Sequence, residues 1–515
     1  MNKHNKIKND ETTIEMYEKE EIQRANNEAM KDKMLKSEEE EELVEAKFEN
    51  LKTHLNNVNV DIEKNLDYII KIDSYGHEGE GVGKINNFTV FVKEAMKNET
   101  VKIKLIKVNK TYGVGKLLEV IIPSVHRAEP VCKIYKRCGG CNLQHVSYDE
   151  QLRFKTQRVK DVIERVGKIE NLKIHNTIGM EFPYNYRNKV QLPVGLQDEN
   201  VVVGFYAPRS HEIINMEHCY IQSKIGDKVV EILKNWMKEY KIKPYDEKNH
   251  SGLIKHIMIR EGFKTKEIMI VIVTNGDKLP AEKPLIKALR GDILNLKSVI
   301  QSINREKTNV ILGNKLKTLW GEDTISDYIG EFKFNISPLS FFQVNPIQTE
   351  VLYKKALEYA ALSGNEIVFD AYCGTGTISL FLSKRAKMVF GIEIIPQAIE
   401  NANENKVANK VENVEFIVGK AEEEIPRLIK SGVNPDVIML DPPRKGCEES
   451  LLHAIASVKT KRIVYVSCDP ATLARDLRIL DDLGYKAVEL QPVDMFPQGH
   501  HVETVVSLTR TAGTK

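Results

Sequence analysis

A stretch near the amino terminus, residues 61–121, alternates between apolar and polar positions with a period of two. Such alternation predicts β-strands, because successive side chains of a strand point to opposite faces of the sheet. The glycine-rich run Gly76–Gly83 is typical of a turn between strands. Four or five short strands in so few residues predict a small, OB-like β-barrel. The strand-forming runs are Asn65–Asp73, Thr89–Val92, Val101–Val108 and Gly115–Ile122.

From about residue 336 onward, short and continuously apolar runs alternate with longer amphipathic segments. Runs of this kind predict buried parallel strands joined by helices, which is the pattern of a Rossmann-like, doubly wound α/β domain over residues 336–515. Two closing strands are predicted near Ala487 and Glu503. The parallel strands are predicted at Glu366–Asp370, Met388–Glu393, Val414–Val418, Asp436–Asp441 and Arg462–Ser467.

Two further regions complete the expected organisation. Residues 122–335 mix β-rich runs, such as Ile268–Thr274, with a cysteine cluster, and they predict a central α+β domain. Residues 1–60 contain five consecutive glutamates, Glu38–Glu42, and no regular heptad pattern, which favours a solvated and partly helical extension. The chain is therefore expected to be an α/β multidomain protein.

Composition narrows the class of protein. Of 515 residues, 42% are hydrophobic, and no apolar run approaches the length of about 18 residues that a membrane span needs. The start of the chain has no apolar core typical of a signal peptide, and seven cysteines are too few for a disulfide scaffold, so we expect a cytoplasmic protein. The net charge of +2 combines −5 in residues 1–60 with +7 in the remainder, which permits nucleic-acid binding. RNA binding by the predicted barrel is favoured by four lysines, Lys102, Lys104, Lys107 and Lys110.

A glycine loop follows the first predicted parallel strand. In Asp370–Ser379, Gly374 and Gly376 allow a ligand to approach the backbone, but Ser379 stands where a dinucleotide site has its third glycine. Glu393, at the end of the next strand, suits hydrogen bonding to a ribose diol. Together with the Asp441-Pro-Pro loop, these features predict binding of S-adenosylmethionine. The loop cysteine, Cys373, and Cys447 are interpreted as packed residues.

The run Ile463–Val466 places Cys468 where its strand must end, because Pro470 cannot continue a ladder of hydrogen bonds. Ligands of α/β sheets bind at this edge, so Cys468 is a candidate nucleophile.

Three cysteines lie within ten residues, and a fourth follows 77 residues after Cys141. This spacing favours an iron–sulfur cluster and leaves a zinc site or no ligand as alternatives. The four residues are Cys132, Cys138, Cys141 and Cys219.

These motifs together resemble the RNA uracil-C5 methyltransferase family, specifically the branch that methylates 23S ribosomal RNA. The resemblance covers residue 62 to the end and rests on Cys138-Gly-Gly-Cys141, Phe182–Lys189, His218-Cys219, Ser340–Pro346, Asp370–Gly376, Asp441–Gly446, Ser467–Thr472 and His501–Thr504. The transfer-RNA branch is expected to lack barrel and cluster. The family usually has Asn after the nucleophile, where this chain has Asp469.

The resemblance implies a TRAM barrel, a class I methyltransferase domain and a [4Fe-4S] cluster on the four cysteines. From the 77-residue gap before Cys219 we expect the cluster to tie together strands of the central region, at a distance from the methyl-transfer site. It implies S-adenosylmethionine contacts by Gln343, Tyr372, Glu393 and Asp441, with Cys468 as nucleophile and Glu503 as general base. The partner is expected to be a single-stranded or loop uridine of ribosomal RNA, bound by a monomer. An exocyclic-amine methyltransferase, which needs no cysteine, and a non-catalytic RNA-binding assembly factor are the alternatives.

Overall fold

The computed structural model describes residues 62–511, so the predicted amino-terminal extension lies outside the described residues. The chain divides into two compact units. Of the described residues, one unit contains those up to Gly76 together with Glu80–Arg127, and the other contains His77–Gly79 together with those from Ala128 onward. Among the described residues, no helix combines the length and the apolar character that crossing a membrane requires.

The first unit is a closed five-stranded barrel, as predicted, with strand order β1-β2-β3-β5-β4. Its core is formed by buried Ile, Val and Leu side chains, among them Ile72, Val90 and Ile103. One strand was not expected, because the second half of the glycine-rich run is β2 rather than a turn. A Cβ atom on Gly83 would lie 2.4 Å from the carbonyl oxygen of Lys71, so this strand needs glycine to approach β1. The strands are β1 (Asp67–Tyr75), β2 (Gly81–Ile85), β3 (Phe88–Val92), β4 (Thr100–Val108) and β5 (Tyr112–Ile122).

The second unit begins with helix α1 (Tyr148–Arg165) and the short strand β6 (Lys173–Ile174). A seven-stranded sheet follows, with the order β13-β12-β11-β10-β7-β8-β9. Two helices cover one face of this sheet, and the crossover through α3 makes β11 and β12 its parallel pair. The elements are β7 (Lys189–Gln197), β8 (Asn200–Tyr206), β9 (Ile213–Asn215), α2 (Ile225–Glu239), β10 (Ile254–Glu261), β11 (Ile268–Thr274), α3 (Glu282–Asp292), β12 (Leu296–Ile303) and β13 (Lys315–Gly321).

The same unit ends in an eight-stranded sheet of order β18-β17-β16-β19-β20-β22-β21-β6, preceded by a separate hairpin, β14–β15. Five of its strands are parallel, as the doubly wound prediction requires, and β22 runs antiparallel between β20 and β21. The elements are β14 (Ile325–Ile329), β15 (Phe332–Ile336), α4 (Pro346–Ala360), β16 (Ile367–Ala371), α5 (Thr377–Ser383), β17 (Met388–Glu393), α6 (Pro396–Ala408), β18 (Val414–Val418), α7 (Ala421–Lys430), β19 (Val437–Leu440), α8 (Glu449–Val458), β20 (Arg462–Ser467), α9 (Pro470–Asp482), β21 (Tyr485–Val493) and β22 (Glu503–Arg510).

The sequence assigned all of residues 122–335 to a central domain, but α1 and β6 pack with the carboxy-terminal sheet. Strand β6 pairs in parallel with β21 and forms one edge of the sheet, and Val159 and Ile163 of α1 are buried in the same core as α9. Two residues of strand give no readable periodicity, so this pairing could not be predicted from the pattern of apolar residues.

Candidate active site

Most of the predicted site residues meet at one edge of the eight-stranded sheet. The carboxyl ends of parallel strands share an edge, so the residues after β16, β17, β19 and β20 lie there together. Strand β22 is antiparallel to β20, and Ser467 pairs with Thr504. The first residue of β22, Glu503, therefore lies beside the end of β20, where Cys468 follows.

The glycine loop leaves space for a ligand. Gly374 has φ 54°, and a Cβ atom placed on it would meet nothing within 4 Å. The Glu393 carboxylate accepts hydrogen bonds from the backbone amides of Gly374, at 3.3 Å, and Ile395, at 3.0 Å. Tyr372 begins the turn with φ 114°, outside the range that most side chains adopt. The loop thus brings Tyr372 and Glu393 together around an open space.

Ser379, the residue in place of a third glycine, has a role in the loop. Its hydroxyl donates to Oδ2 of Asp370 at 2.5 Å, whereas Oδ1 of this buried carboxyl has no partner among the described residues. Burial, with the charge of Glu393, raises the pKa of Asp370 to about 7. An orphaned buried oxygen beside an open glycine loop fits a ligand that donates hydrogen bonds, as the α-ammonium and ribose hydroxyls of S-adenosylmethionine do.

Gln343 lies in the loop before α4, half-buried. Asn188 donates to the Gln343 backbone oxygen at 3.0 Å. Asn345 caps α4 and donates to the Met495 backbone oxygen at 3.0 Å, so this loop is fixed to the segment that precedes β22. Tyr353 of α4 is joined to Thr377, at the start of α5, by a hydroxyl–hydroxyl hydrogen bond of 2.8 Å.

Cys468 is half-buried, and its thiol lies in an acidic environment. Burial and the charges of Glu503 and Asp441 raise the pKa of the thiol to about 12, against a lowering effect from Arg444. The next residue, Asp469, caps helix α9 by accepting from the Ala471 amide at 2.8 Å. Asn and Asp cap equally well, which explains why this departure from the family pattern keeps the local fold.

Glu503 is only 5% exposed. Burial and the nearby charge of Asp441 raise its pKa to about 8, while Arg444 lowers it. Burial followed by the charge of Asp370 raises the pKa of Asp441 to about 7. The site therefore holds two carboxyl groups that gain and lose protons near neutral pH, beside a thiol that stays protonated there in the absence of RNA.

The two histidines before Glu503 are held as neutral rings. Burial and neighbouring positive charges lower the pKa of His500 to about 3 and that of His501 to about 4. The Nδ1 atom of His500 lies 3.0 Å from Oδ1 of Asn142, and Arg158 donates to the His500 backbone oxygen at 2.6 Å.

The segment 494–501, which joins β21 to β22, is fixed from helix α1. Lys155 and Asp494 form a fully buried ion pair at 2.5 Å. Tyr148 donates to the other oxygen of Asp494 at 2.8 Å, and Lys155 also donates to the Phe496 backbone oxygen at 3.0 Å. This network sets the position at which Glu503 enters the sheet. We call residues 494–501 the β21–β22 loop.

The four clustered cysteines line one pocket, together with Tyr135, Phe205 and Met216. The Gly140 amide donates to Sγ of Cys138 at 3.3 Å. Burial and then the other three thiols raise the pKa of Cys141 to about 12. Within residues 62–511, no three His, Cys, Asp or Glu side chains are arranged to hold a single metal ion. The thiols of a [4Fe-4S] cluster each bind a different iron, so they need a wider arrangement than the ligands of one ion.

The cysteine cavity is not remote from the predicted base, contrary to the expectation from sequence. The amides of Asn142 and Leu143 donate to the Gln498 backbone oxygen at 2.9 and 3.0 Å. Asn142, which follows Cys141, also contacts His500 in the β21–β22 loop. Proximity of this kind depends on tertiary contacts over more than 350 residues, which the sequence pattern does not reveal.

The family model described as tRNA (uracil-5-)-methyltransferase matches residues 147–511. The chain belongs to this family. It is thus an S-adenosylmethionine-dependent RNA (uracil-C5) methyltransferase, and the TRAM domain model matches residues 68–118, inside the barrel.

The methyltransferase is 58% identical over 453 residues to an uncharacterized RNA methyltransferase of Clostridium acetobutylicum, covering 88% of this chain and 98% of the relative. It is 57% identical over 450 residues to an uncharacterized RNA methyltransferase of Clostridium tetani, covering 87% and 98%. Among solved structures, the Pyrococcus abyssi tRNA (uracil-54, C5)-methyltransferase in complex with S-adenosyl-L-homocysteine matches with a TM-score of 0.70 and 27% identity, over 86% of this chain and 100% of that one.

This structural match bears on the expectation that the transfer-RNA branch lacks the barrel. A share of 86% is about 443 residues, whereas residues 122–515 number only 394, so the match extends into the barrel region. A tRNA-acting enzyme therefore resembles this methyltransferase beyond the catalytic domain. The barrel alone does not distinguish the ribosomal branch from the transfer-RNA branch.

Sequence reasoning did not single out two groups of this site. Arg444 lowers the pKa of the Cys468 thiol, and its place in the Asp441–Arg444 motif could have indicated it. Tyr353 is buried, and the charges of Asp441, Asp370 and Glu503 contribute to raising its pKa, so its ring lies among the three carboxyl groups. No local motif marks a tyrosine in the middle of a helix.

Proposed function

We propose that this methyltransferase modifies C5 of a uridine in 23S ribosomal RNA through a covalent intermediate on Cys468. The observation that carries the proposal is the convergence of Cys468, Glu503 and Asp441 at the sheet edge, beside an open glycine loop. A non-catalytic factor would not need a strand-end thiol among coupled carboxyl groups. An enzyme that methylates an exocyclic amine would not need the thiol.

The thiolate of Cys468 adds to C6 of the uracil, because C5 by itself is too weak a nucleophile to accept a methyl cation equivalent. A C–S bond forms, and the electron pair of the C5–C6 double bond moves onto the ring to give an enolate with a nucleophilic C5. In the free enzyme the thiol is protonated, since its pKa is raised to about 12. Arg444 is placed to stabilise the thiolate once the acidic neighbours have bound protons.

S-adenosylmethionine, when bound, supplies the methyl group as an electrophile on sulfur. Glu393 would hold its ribose, and Gln343, Tyr372 and Asp441 would complete the binding site. The open side of Gly374 allows close approach to the backbone. Burial at this edge excludes water from the reacting atoms, which strengthens each electrostatic contact.

Glu503 removes the remaining proton from C5. The C5–H electron pair then re-forms the C5–C6 double bond, the C–S bond breaks, and the thiolate of Cys468 leaves. A carboxylate with a pKa near 8 is a stronger base than an ordinary glutamate and still ionises near neutral pH. His500 and His501 lie in the β21–β22 loop, and their lowered pKa values make them weaker bases than Glu503.

We also propose that Cys132, Cys138, Cys141 and Cys219 hold a [4Fe-4S] cluster. Support comes from their shared cavity and from the amide that donates to Cys138. A cluster bound there would link the segment Cys132–Cys141, which we call the cysteine turn, to Cys219. Through Asn142 it would also fix the β21–β22 loop, so the cluster supports the base rather than a remote domain.

Methylation of transfer RNA is the second candidate, favoured by the structural match to the tRNA (uracil-54, C5)-methyltransferase. Mass-spectrometric mapping of methyluridine in a deletion strain separates the two. Loss of a methyl group from 23S ribosomal RNA supports the first proposal, and loss from transfer RNA replaces it with the second.

The mechanism is tested by trapping with RNA that contains 5-fluorouridine, since fluorine at C5 cannot be removed by the base. Wild-type protein should form a covalent adduct that is stable in denaturing gels. Cys468→Ala should form none while its affinity for S-adenosylmethionine stays unchanged, and Cys447→Ala is the matched control. An adduct with the Cys468 variant would refute the nucleophile. Glu503→Gln, with ordinary RNA, should accumulate a methylated covalent complex, and normal release of product would point to another base.

A further inference from the structure

Three cationic side chains lie close together around the start of β7 and the facing part of β10. Arg187 precedes β7 and forms an isolated β-bridge with Gln222, and its positive charge, like that of Arg260, contributes to lowering the pKa of Lys189. Lys189 is paired directly across the strands with Arg260 of β10. Like charges at directly opposed positions destabilise a sheet, so this arrangement is costly in the absence of a ligand.

No carboxylate offsets these charges: in the part of the chain that the structure describes, none lies within 4.0 Å of the three cationic groups. Arg260 is 2% exposed, and only its Nη2 has an acceptor, the Ser340 backbone oxygen at 3.0 Å. Its Nε and Nη1 atoms and Nε of Arg187 are buried N–H groups with no acceptor in residues 62–511. Burial, followed by the charges of Arg260 and Arg187, lowers the pKa of Lys189 to about 8. Three buried donors without acceptors and a destabilised ammonium define a site built for an anion.

The cluster lies next to the reaction site. The guanidinium of Arg187 is 5.8 Å from the ring centroid of Phe496, and that ring is 6.1 Å from His501 in the same loop. On the other side, Arg260 donates to the backbone of Ser340, three residues before Gln343. An anion bound by these three cationic side chains would thus lie beside the Phe496 ring, in the β21–β22 loop that leads to Glu503.

We propose that Arg187, Lys189 and Arg260 bind a backbone phosphate of the RNA substrate close to the target uridine. The proposal rests on the RNA methyltransferase function above. The other anion available is the carboxylate of S-adenosylmethionine. That ligand carries an ammonium next to its carboxylate and a sulfonium, so three cations would repel most of its charge. A phosphodiester has only negative charge, and arginine matches its geometry.

The test measures RNA affinity as a function of salt for wild-type protein, Lys189→Met and Arg187→Gln, with fluorescein-labelled dodecauridylate as the probe. Each removed phosphate contact should reduce the slope of log K against log salt by roughly 0.7 and weaken binding several-fold at low salt. The affinity for S-adenosylmethionine, measured by calorimetry, should not change. The melting temperature of the RNA-free Lys189→Met protein should rise, because an uncompensated charge is removed.

Lys297→Met is the matched control, because Lys297 lies on the same sheet but pairs with Glu322 at 2.6 Å. It removes one charge without touching the cluster, and its salt slope should equal that of wild type. Arg260→Lys keeps the charge and should keep most of the slope.

Unchanged slopes for both cluster variants, in a protein that still methylates RNA, would overturn the phosphate site and leave the function standing. Weaker binding of S-adenosylmethionine with unchanged slopes would reassign the cluster to the cofactor carboxylate. Wild-type protein that does not bind the probe would also overturn the proposal. Failure of the function itself would appear separately, as absence of the 5-fluorouridine adduct.

Discussion

The substitution Glu503→Gln tests the electrostatics of the active site in the absence of RNA. Glu503 is the first of the charged neighbours that raise the pKa of the Cys468 thiol from 9.0 to about 12. Glutamine keeps the shape of the side chain and removes its charge. The substitution should therefore lower the pKa of the thiol and make it react faster with iodoacetamide, a small alkylating reagent.

The size of the effect depends on pH in a defined way. With its pKa raised to about 8, the Glu503 carboxyl is neutral below pH 8 and charged above it. At pH 6.5 roughly 3% is ionised, and at pH 9.5 roughly 97%. A fall of about one pH unit in the thiol pKa raises the thiolate fraction at pH 9.5 about tenfold in the variant. Nucleophilicity falls with pKa, so the net gain in rate is about three- to fourfold.

The assay follows alkylation of Cys468 by peptide mass spectrometry at both pH values. Buried Cys373 and Cys447 serve as internal controls for unfolding. Glu393→Gln is the matched substitution, because that carboxylate lies at the same sheet edge but is not among the main groups that shift the thiol pKa. We expect a ratio of variant to wild-type rate near one at pH 6.5 and of three or more at pH 9.5. Equal acceleration at both pH values would mean better access rather than lost charge, and no acceleration at pH 9.5 would refute the predicted proximity.

Three further predictions follow from the surroundings of the site. Asp469→Asn keeps the cap of α9 but removes a negative charge that raises the pKa of the Cys468 thiol. Alkylation of Cys468 should therefore be faster at neutral pH, with an unchanged melting temperature, and slower alkylation would contradict this. Asn142→Ala should lower kcat several-fold with no change in affinity for S-adenosylmethionine, and a kinetically silent variant would show that the cysteine turn does not position the β21–β22 loop. Lys155→Met leaves Asp494 buried without its partner and should reduce the free energy of unfolding in urea by about 3–5 kcal/mol, whereas a loss below about 1 kcal/mol would mean that the pair is dispensable.

The sequence was a good guide wherever one residue type has one local meaning. Pro470 ends a strand, and the glycines after Asp370 open a helix, so the parallel strands and the position of Cys468 could be predicted closely. Gly83 was misread, because glycine marks both turns and strands that must approach a neighbouring backbone. Glycine can be required for either of these two physical reasons, and only the packing around the residue shows which one applies.

Contacts between segments that are distant in the chain could not be predicted from the sequence. The antiparallel entry of β22 puts Glu503 beside Cys468, and periodicity does not give the direction of a strand. The contact of Asn142 with His500 and the opposition of Lys189 and Arg260 likewise exist only once strands and loops have been paired. Identity of site residues can be predicted from motifs, but their electrostatic coupling requires the fold.

The pairing of β6 with β21 has a consequence for how the chain can be divided. A fragment that starts at residue 336 would lack β6, and β21 would become an open edge with unpaired amide and carbonyl groups. The same fragment would lack α1, so Asp494 would remain buried without Lys155. The catalytic sheet therefore depends on a segment that comes more than 150 residues earlier in the chain. During synthesis on the ribosome, α1 and β6 emerge first, and they can join the sheet only after β21 and β22 have been made.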